Sequence, residues 1–150
     1  DPRAAEGIKE FKTYLGPTSG YAEQAYYFEP VADENGFSPA LLTNRRGGMG
    51  FLVDFKKSTL PCFTLWKNTQ SEASGYVTGL EPGINFPNFR ADERERGRVK
   101  NLDPGDSYET EFEVSILNNS NSVDAVRQKI TKLTEQAPAV IHSAPHSRFS

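Results

Sequence analysis

Short alternating segments punctuated by turn residues predict an all-β chain, an antiparallel β-sandwich, with one helix toward its end. Three observations carry this. Apolar and aromatic residues alternate with polar ones in several short runs. Turn formers, 12 Gly and 10 Pro among 150 residues, separate those runs. The aromatic content is dominated by 10 Phe and 6 Tyr, side chains that suit a pleated, half-buried surface.

Residues 1–20 read as a lead-in segment, because Gly7 and Gly16-Pro17 interrupt any helix begun at Ala4. Residues 21–31 (YAEQAYYFEPV) predict a first strand. Asp33-Glu34-Asn35-Gly36 predicts a hairpin turn with positive φ at both central positions, and 38–44 its return strand. Arg45-Arg46-Gly47-Gly48 is a second turn, followed by a strand over 49–56 with Phe51, Val53 and Phe55 on one face. Residues 62–68 and 75–81 predict an antiparallel pair across the polar loop 69–74. Residues 82–101 form a long loop whose charged part, 90–98, has room for a short helix only. Asp103-Pro104-Gly105-Asp106 launches a strand over 107–117. In it Tyr108, Thr110, Phe112, Val114 and Ile116 face a core, and Glu109, Glu111 and Glu113 face water. A helix is predicted over 123–136, capped by Ser122, with Val123, Val126, Ile130 and Leu133 as its apolar stripe and Pro138 as its stop. The domain division is thus a β-sandwich over 1–117, a linker and amphipathic helix over 118–136, and a flexible tail over 137–150.

Composition narrows the function classes. A chain of 150 residues supports one domain with a sizeable core. A net charge of −3 provides no basic field for nucleic acid. No apolar run approaches a membrane span and no signal-peptide pattern opens the chain. The single cysteine, Cys62, excludes an internal disulfide, agrees with a reducing, cytoplasmic setting, and reads as a small buried hydrophobe. The chain opens on Asp1 rather than Met, so the expectation is a processed, trimmed or fragment chain, for which chemistry would call on residues upstream.

Glu81 heads the candidate chemistry. It closes an apolar strand before a Pro/Gly turn and shares a face with Gly79 and Val77. The glycines of that strand thin one face and let another group approach the backbone. A carboxylate beside a glycine and backed by aromatics is a candidate base if it is held largely dry. The competing reading is a surface glutamate that caps a loop amide or pairs with an arginine of 90–98. Trp66 alternates with Phe63 and Leu65, so its indole points to the other face, where it suits a pyranose ring, with Lys67 and Asn68 supplying hydrogen bonds. A Trp packed inside the sandwich is the bland alternative. Glu23, beside Tyr26-Tyr27, either faces a cleft or guards a strand edge. His142 and His146 have the spacing of a helical metal pair, but Ser-Ala-Pro between them breaks the helix and no fuller ligand set exists. No metal and no cofactor is expected.

The segments Gly79-Leu80-Glu81-Pro82, Asn85-Phe86-Pro87-Asn88 and Leu102-Asp103-Pro104-Gly105-Asp106-Ser107-Tyr108 resemble the C-terminal part of aldose 1-epimerases (galactose mutarotases). Glu23-Gln24-Ala25-Tyr26-Tyr27 and Leu65-Trp66-Lys67-Asn68 are closer to a less characterised, mutarotase-like branch. The resemblance covers about residues 20–117. It implies the C-terminal half of a large antiparallel β-sandwich that binds a sugar on a concave sheet face. It also implies Glu81 as the base that takes the anomeric proton, with Asn85 near the sugar. The family's acid is a histidine upstream of this region, whereas the first histidine here is His142.

The expectation is therefore a carbohydrate-binding, mutarotase-like domain, with anomer interconversion through Glu81 if an acid is supplied from elsewhere. Trp66, Lys67, Asn68, Glu23 and Asn85 are its binding residues. Its expected ligand is a small sugar, and a partner chain or a second copy would complete the sandwich. The alternative is a non-catalytic structural or protein-interaction β-sandwich.

Overall fold

The computed structural model describes residues 6–144 and 146–149. The described residues include six strands and two α-helices: β1 (Gln24–Phe28), β2 (Phe37–Thr43), β3 (Gly50–Lys56), β4 (Cys62–Asn68), β5 (Val77–Gly83), α1 (Arg90–Glu95), β6 (Phe112–Leu117) and α2 (Ser120–Gln136). The strands form two three-stranded sheets ordered β1-β4-β5 and β2-β3-β6, and every pairing is antiparallel. The chain divides into two compact units, each assembled from separate stretches of sequence. One holds the residues up to Phe28, Cys62–Val99 and the residues from Ile141 on; the other holds Glu29–Pro61 and Lys100–Val140.

In the first unit β4 is the central strand. Its apolar alternation buries Phe63 and Leu65 on one face with Tyr26 of β1. The lead-in segment covers that face. Phe11 lies 5.7 Å from the Tyr26 ring and 5.5 Å from the Phe28 ring. Tyr14 shares a 2.6 Å hydrogen bond with Thr78, and Tyr76 donates to the Leu15 carbonyl at 2.6 Å. Cys62 is buried, as expected of a small hydrophobe, and its thiol lies 3.6 Å from the Ile84 carbonyl.

In the second unit β2 and β3 form a hairpin over the turn that follows Asn44. The Asn44 side chain accepts from the Gly48 and Met49 amides at 3.0 and 3.3 Å and so supplies the partners the turn lacks. Helix α2 begins three residues before its expected start. Its cap is Asn119, not Ser122: the Asn119 side chain accepts from the Ser122 amide at 2.9 Å. Val123 is fully buried, and Gly50 of β3 leaves the room it needs, since a Cβ there would meet Val123, Leu41 and Leu117 at 3.2–3.3 Å. Lys129 reaches back from α2 to Asp33 at 2.8 Å and Asp54 at 3.0 Å. Burial lowers the Lys129 pKa, but these two carboxylates outweigh it and hold the ammonium above its ordinary value.

Further expectations are corrected. The Asn35-Gly36 turn exists, but it joins no hairpin, because β1 pairs with β4 and not with β2. Only Gly36 has positive φ there, and Asp33 closes the turn by accepting from the Asn35 and Phe37 amides. A turn signal is local and is silent about which strand lies alongside. The last strand starts at Phe112 rather than 107. Its apolar face is not buried either: Phe112, Val114 and Ile116 are 57, 49 and 66 % exposed. Alternation sets which way side chains point, but burial requires something packed on that face, and β6 is an edge strand. Finally, residues 146–149 read as part of a loose tail but pack against the segment around α1, as described below.

Candidate functional site

The register of the β1-β4-β5 sheet decides which candidate residues meet. Residues opposite one another across antiparallel strands point to the same face. Tyr27, Thr64 and Glu81 form one row; Ala25, Trp66 and Gly79 form the next; Asn68 and Val77 form a third. Glu23 immediately precedes β1 and alternates onto this face, where its carboxylate accepts from the Trp66 indole N–H at 3.0 Å. Four sequence-chosen residues, Glu23, Trp66, Asn68 and Glu81, thus share one face of one sheet.

The small neighbours of Trp66 matter. Ala25 and Gly79 stand directly opposite it on either side, so the side chains facing the indole across the ladder are small. A Cβ at Gly79 would collide with the Glu81 carboxylate, so the Glu81 side chain folds back across Gly79, toward the Trp66 row. The glycine admits a close approach, as its place in the strand suggested, and the approaching group is the candidate base itself. Glu81 is nonetheless exposed in this chain, which corrects the expectation of a carboxylate held largely dry. Among the described residues it makes no ion pair, so the competing reading of an arginine-paired surface glutamate has no support here.

At the Asn68 end of the face lies an open hollow of about 390 Å³ lined by Tyr21, Glu23, Asn68, Gln70 and Ser74. The volume falls among those of small-ligand sites, about 300–1,000 Å³. The side-chain amide oxygen of Asn68, Oδ1, is buried without a hydrogen-bond partner among the described residues. An orphaned acceptor of this kind costs about 1–3 kcal/mol, which a ligand hydroxyl or a water would relieve.

Two candidates fall outside this arrangement. Lys67 pairs with Gln24 and Thr78 and so faces the back of the sheet. It is 5 % exposed, and its ammonium donates to the Thr13 carbonyl at 2.7 Å and the Glu10 carbonyl at 3.4 Å, over the Tyr14 ring. Burial lowers its pKa, against the opposing pull of Glu10. Its work is to pin the lead-in segment. Alternation dictates this: Trp66 and Lys67 are sequence neighbours and cannot share a strand face. Asn85 lies beyond β5, is exposed, and donates to the Phe86 carbonyl at 2.9 Å rather than joining the Trp66 face.

The strongest polar cluster of this unit was not among the candidates. Glu93 of α1 is fully buried. Arg98 grips it in a fork, Nε to Oε2 at 2.6 Å and Nη2 to Oε1 at 2.5 Å. Asn88 donates to it at 2.8 Å and the Phe86 amide at 3.2 Å. These bonds, the Arg98 pair first, hold its pKa at about 2, against burial, which acts to raise it. The cluster fixes Phe86, which stacks on Tyr27 with ring centroids 5.0 Å apart, at the Tyr27 end of the candidate face. In sequence the only signal was the charged run 90–98, within which nothing distinguishes Glu93 from Asp92 or Glu95.

His142 and His146 lie with ring centroids 4.2 Å apart, and among the described residues no group of three metal-ligating side chains exists. No described helix is long and apolar enough to cross a membrane.

The described strands pair antiparallel throughout, and the fold matches an aldose 1-epimerase-like structure. The chain is similar to a solved structure from Klebsiella pneumoniae subsp. pneumoniae MGH 78578, described as a "putative aldose 1-epimerase", with 40% identity and a TM-score of 0.84 over 89% of this chain. The match spans only 35% of the Klebsiella chain. No curated protein matches the sequence. The chain belongs to the family described as domain of unknown function DUF4432, which matches residues 1–116.

Proposed function

We propose that the Glu23–Trp66–Asn68–Glu81 face binds a monosaccharide, with Trp66 against the C–H face of the ring. One observation carries this reading: strand register gathers an indole flanked by small residues, a folded-back carboxylate and an orphaned amide oxygen on one sheet face. An apolar ring beside hydrogen-bonding groups is the chemistry a pyranose presents to its binder. The fold class and the resemblance in the Glu81 segment point to the same ligand.

In the catalytic form of the reading Glu81 takes the proton of the anomeric hydroxyl. The C1–ring oxygen bond then breaks, its electron pair leaving with the ring oxygen, which takes a proton from an acid. Rotation about C1–C2 and the reverse steps close the ring on the other face. Within this chain the histidines are His142 and His146 alone. Binding therefore ranks above catalysis for these residues by themselves. The exposure of Glu81 favours a second reading, a β scaffold without sugar chemistry.

Titrating hexoses while following Trp66 fluorescence separates the two, since Trp66 is the single tryptophan. A saturable change, together with a calorimetric affinity at least tenfold weaker in Trp66→Phe, supports the sugar face; no response to any hexose, hexonate or sugar phosphate removes it. Polarimetry of α-glucose and α-galactose then tests catalysis. Glu81→Gln is expected to return mutarotation to the buffer rate while sparing binding, and equal loss of both would strip Glu81 of its role as base.

A further inference from the structure

The residues around α1 present a row of hydrogen-bond donors, and the chain's own later residues are seated on it. Three successive backbone carbonyls are taken by three different side chains. Arg96 Nη1 donates to Ser147 O at 2.8 Å, Arg98 Nη1 to Arg148 O at 3.1 Å, and Asn88 Nδ2 to Phe149 O at 2.6 Å. Residues 146–149 form a turn closed by the Phe149 amide on the His146 carbonyl at 2.9 Å, with the Arg148 amide on His146 Nδ1 at 3.2 Å. The turn spends its amides internally and offers its carbonyls outward. Two guanidiniums and a carboxamide meet the negative end of those dipoles.

The donors are preset. Glu93 binds Asn88 and Arg98 through some of their N–H groups, and the remaining N–H groups of the same two side chains reach the turn. The buried carboxylate thus orients donors for a backbone that carries no sequence information of its own. Selectivity comes from one side chain: the Phe149 ring packs on Phe86 at 5.5 Å, and His142 and His146 flank it at 5.8 and 6.3 Å. Phe86, 1 % exposed, stacks on Tyr27, which stands in the same cross-strand row as Glu81.

We propose that residues 146–149 are a docked strap, held by its carbonyls and anchored by Phe149, that covers Phe86 and so closes the aromatic end of the Trp66–Glu81 face. The docking itself stands apart from the sugar reading; that the strap limits access to a ligand face rests on it.

The test uses the full 150-residue chain and two variants outside the Glu93 clamp, Phe149→Ala and Arg96→Ala. Backbone 15N order parameters report the docking. Ser147 and Arg148 are expected near the rigid value of about 0.85 in the unaltered chain and below about 0.6 in Phe149→Ala, with Arg96→Ala between them and the amides of β4 unchanged in all three. The Phe86 ring protons are expected to relax at least twofold faster with a soluble paramagnetic agent once Phe149 is removed. A strap already below about 0.6 in the unaltered chain overturns the proposal. So does a strap that stays ordered, or a Phe86 that stays shielded, in Phe149→Ala. Neither readout contains a sugar, so a failure to bind any hexose counts against the sugar reading and leaves both measurements standing.

Discussion

Gly79 and Glu81 make a pair whose two functions, packing and chemistry, come apart on substitution. The Glu81 carboxylate occupies the space an alanine Cβ would need at position 79. That carboxylate is the far end of a flexible side chain, so the strand accommodates Gly79→Ala by displacing it. Gly-to-Ala within a strand also removes an entropic cost of roughly 0.5–1 kcal/mol. Gly79→Ala is therefore expected to keep or slightly raise the melting temperature while lowering the mutarotation rate as far as Glu81→Gln does. A melting curve and polarimetry on the same sample check this; an undisturbed mutarotation rate in Gly79→Ala would detach Glu81's position from the site. Lys67 offers the opposite test. Its ammonium serves the Thr13 and Glu10 carbonyls behind the sheet. Lys67→Met is expected to cost about 1–3 kcal/mol through those carbonyls and to leave hexose affinity within twofold. A selective loss of sugar binding would return Lys67 to the site.

Among the elements, the segment from Phe86 to Arg98 depends most on charge. Glu93 has an ordinary pKa of 4.5 and is held at about 2 in the fold. A lowered folded-state pKa means that this contribution is fully present above about 4.5 and is lost as pH falls toward about 2. The linkage amounts to on the order of 3 kcal/mol. Urea unfolding between pH 2 and pH 6 is expected to show that loss, and Glu93→Gln to flatten it. Because Glu93→Gln strands Arg98 and Asn88, the variant is also expected to be less stable at pH 7 by about 3–5 kcal/mol. An unaltered pH profile in Glu93→Gln would assign the acid sensitivity elsewhere. The strand pairs are more robust, since each is held by a full ladder and by cross-strand packing.

For the molecule as a whole, the notable surface is the apolar face of β6. Val114 and Ile116 stand opposite Val53 and Phe51 of β3, and Phe112 opposite Phe55, so the exposed side chains continue a face on which Val53 and Phe55 are buried and Phe51 is itself exposed. An exposed, alternating edge strand invites association. Sedimentation velocity over a hundredfold range of concentration is expected to show a rising mean mass, and Val114→Lys to suppress it. A concentration-independent monomer would show that the face is tolerated as it stands. The chain spans 35% of the Klebsiella protein it matches.

Much of this was legible in the residues alone, because strand formation and side-chain alternation are local. The β4 strand, its pairing with β5, the opposed directions of Trp66 and Leu65, and the common face of Glu81 and Gly79 all follow from a period of two. The helix followed from a period of 3.6, its cap misplaced because Asn119 and Ser122 are both good caps and only geometry chooses between them. What tertiary structure alone decided depends on what lies next to what. Pairing placed β1 beside β4 and left Asn35-Gly36 as a link instead of a hairpin. Packing on one side of the first sheet made Lys67 a buried pin, and the absence of packing left Glu81 and the β6 face exposed. The 146–149 strap joins residues about fifty positions apart, and a contact over such a separation leaves no periodic trace in the chain.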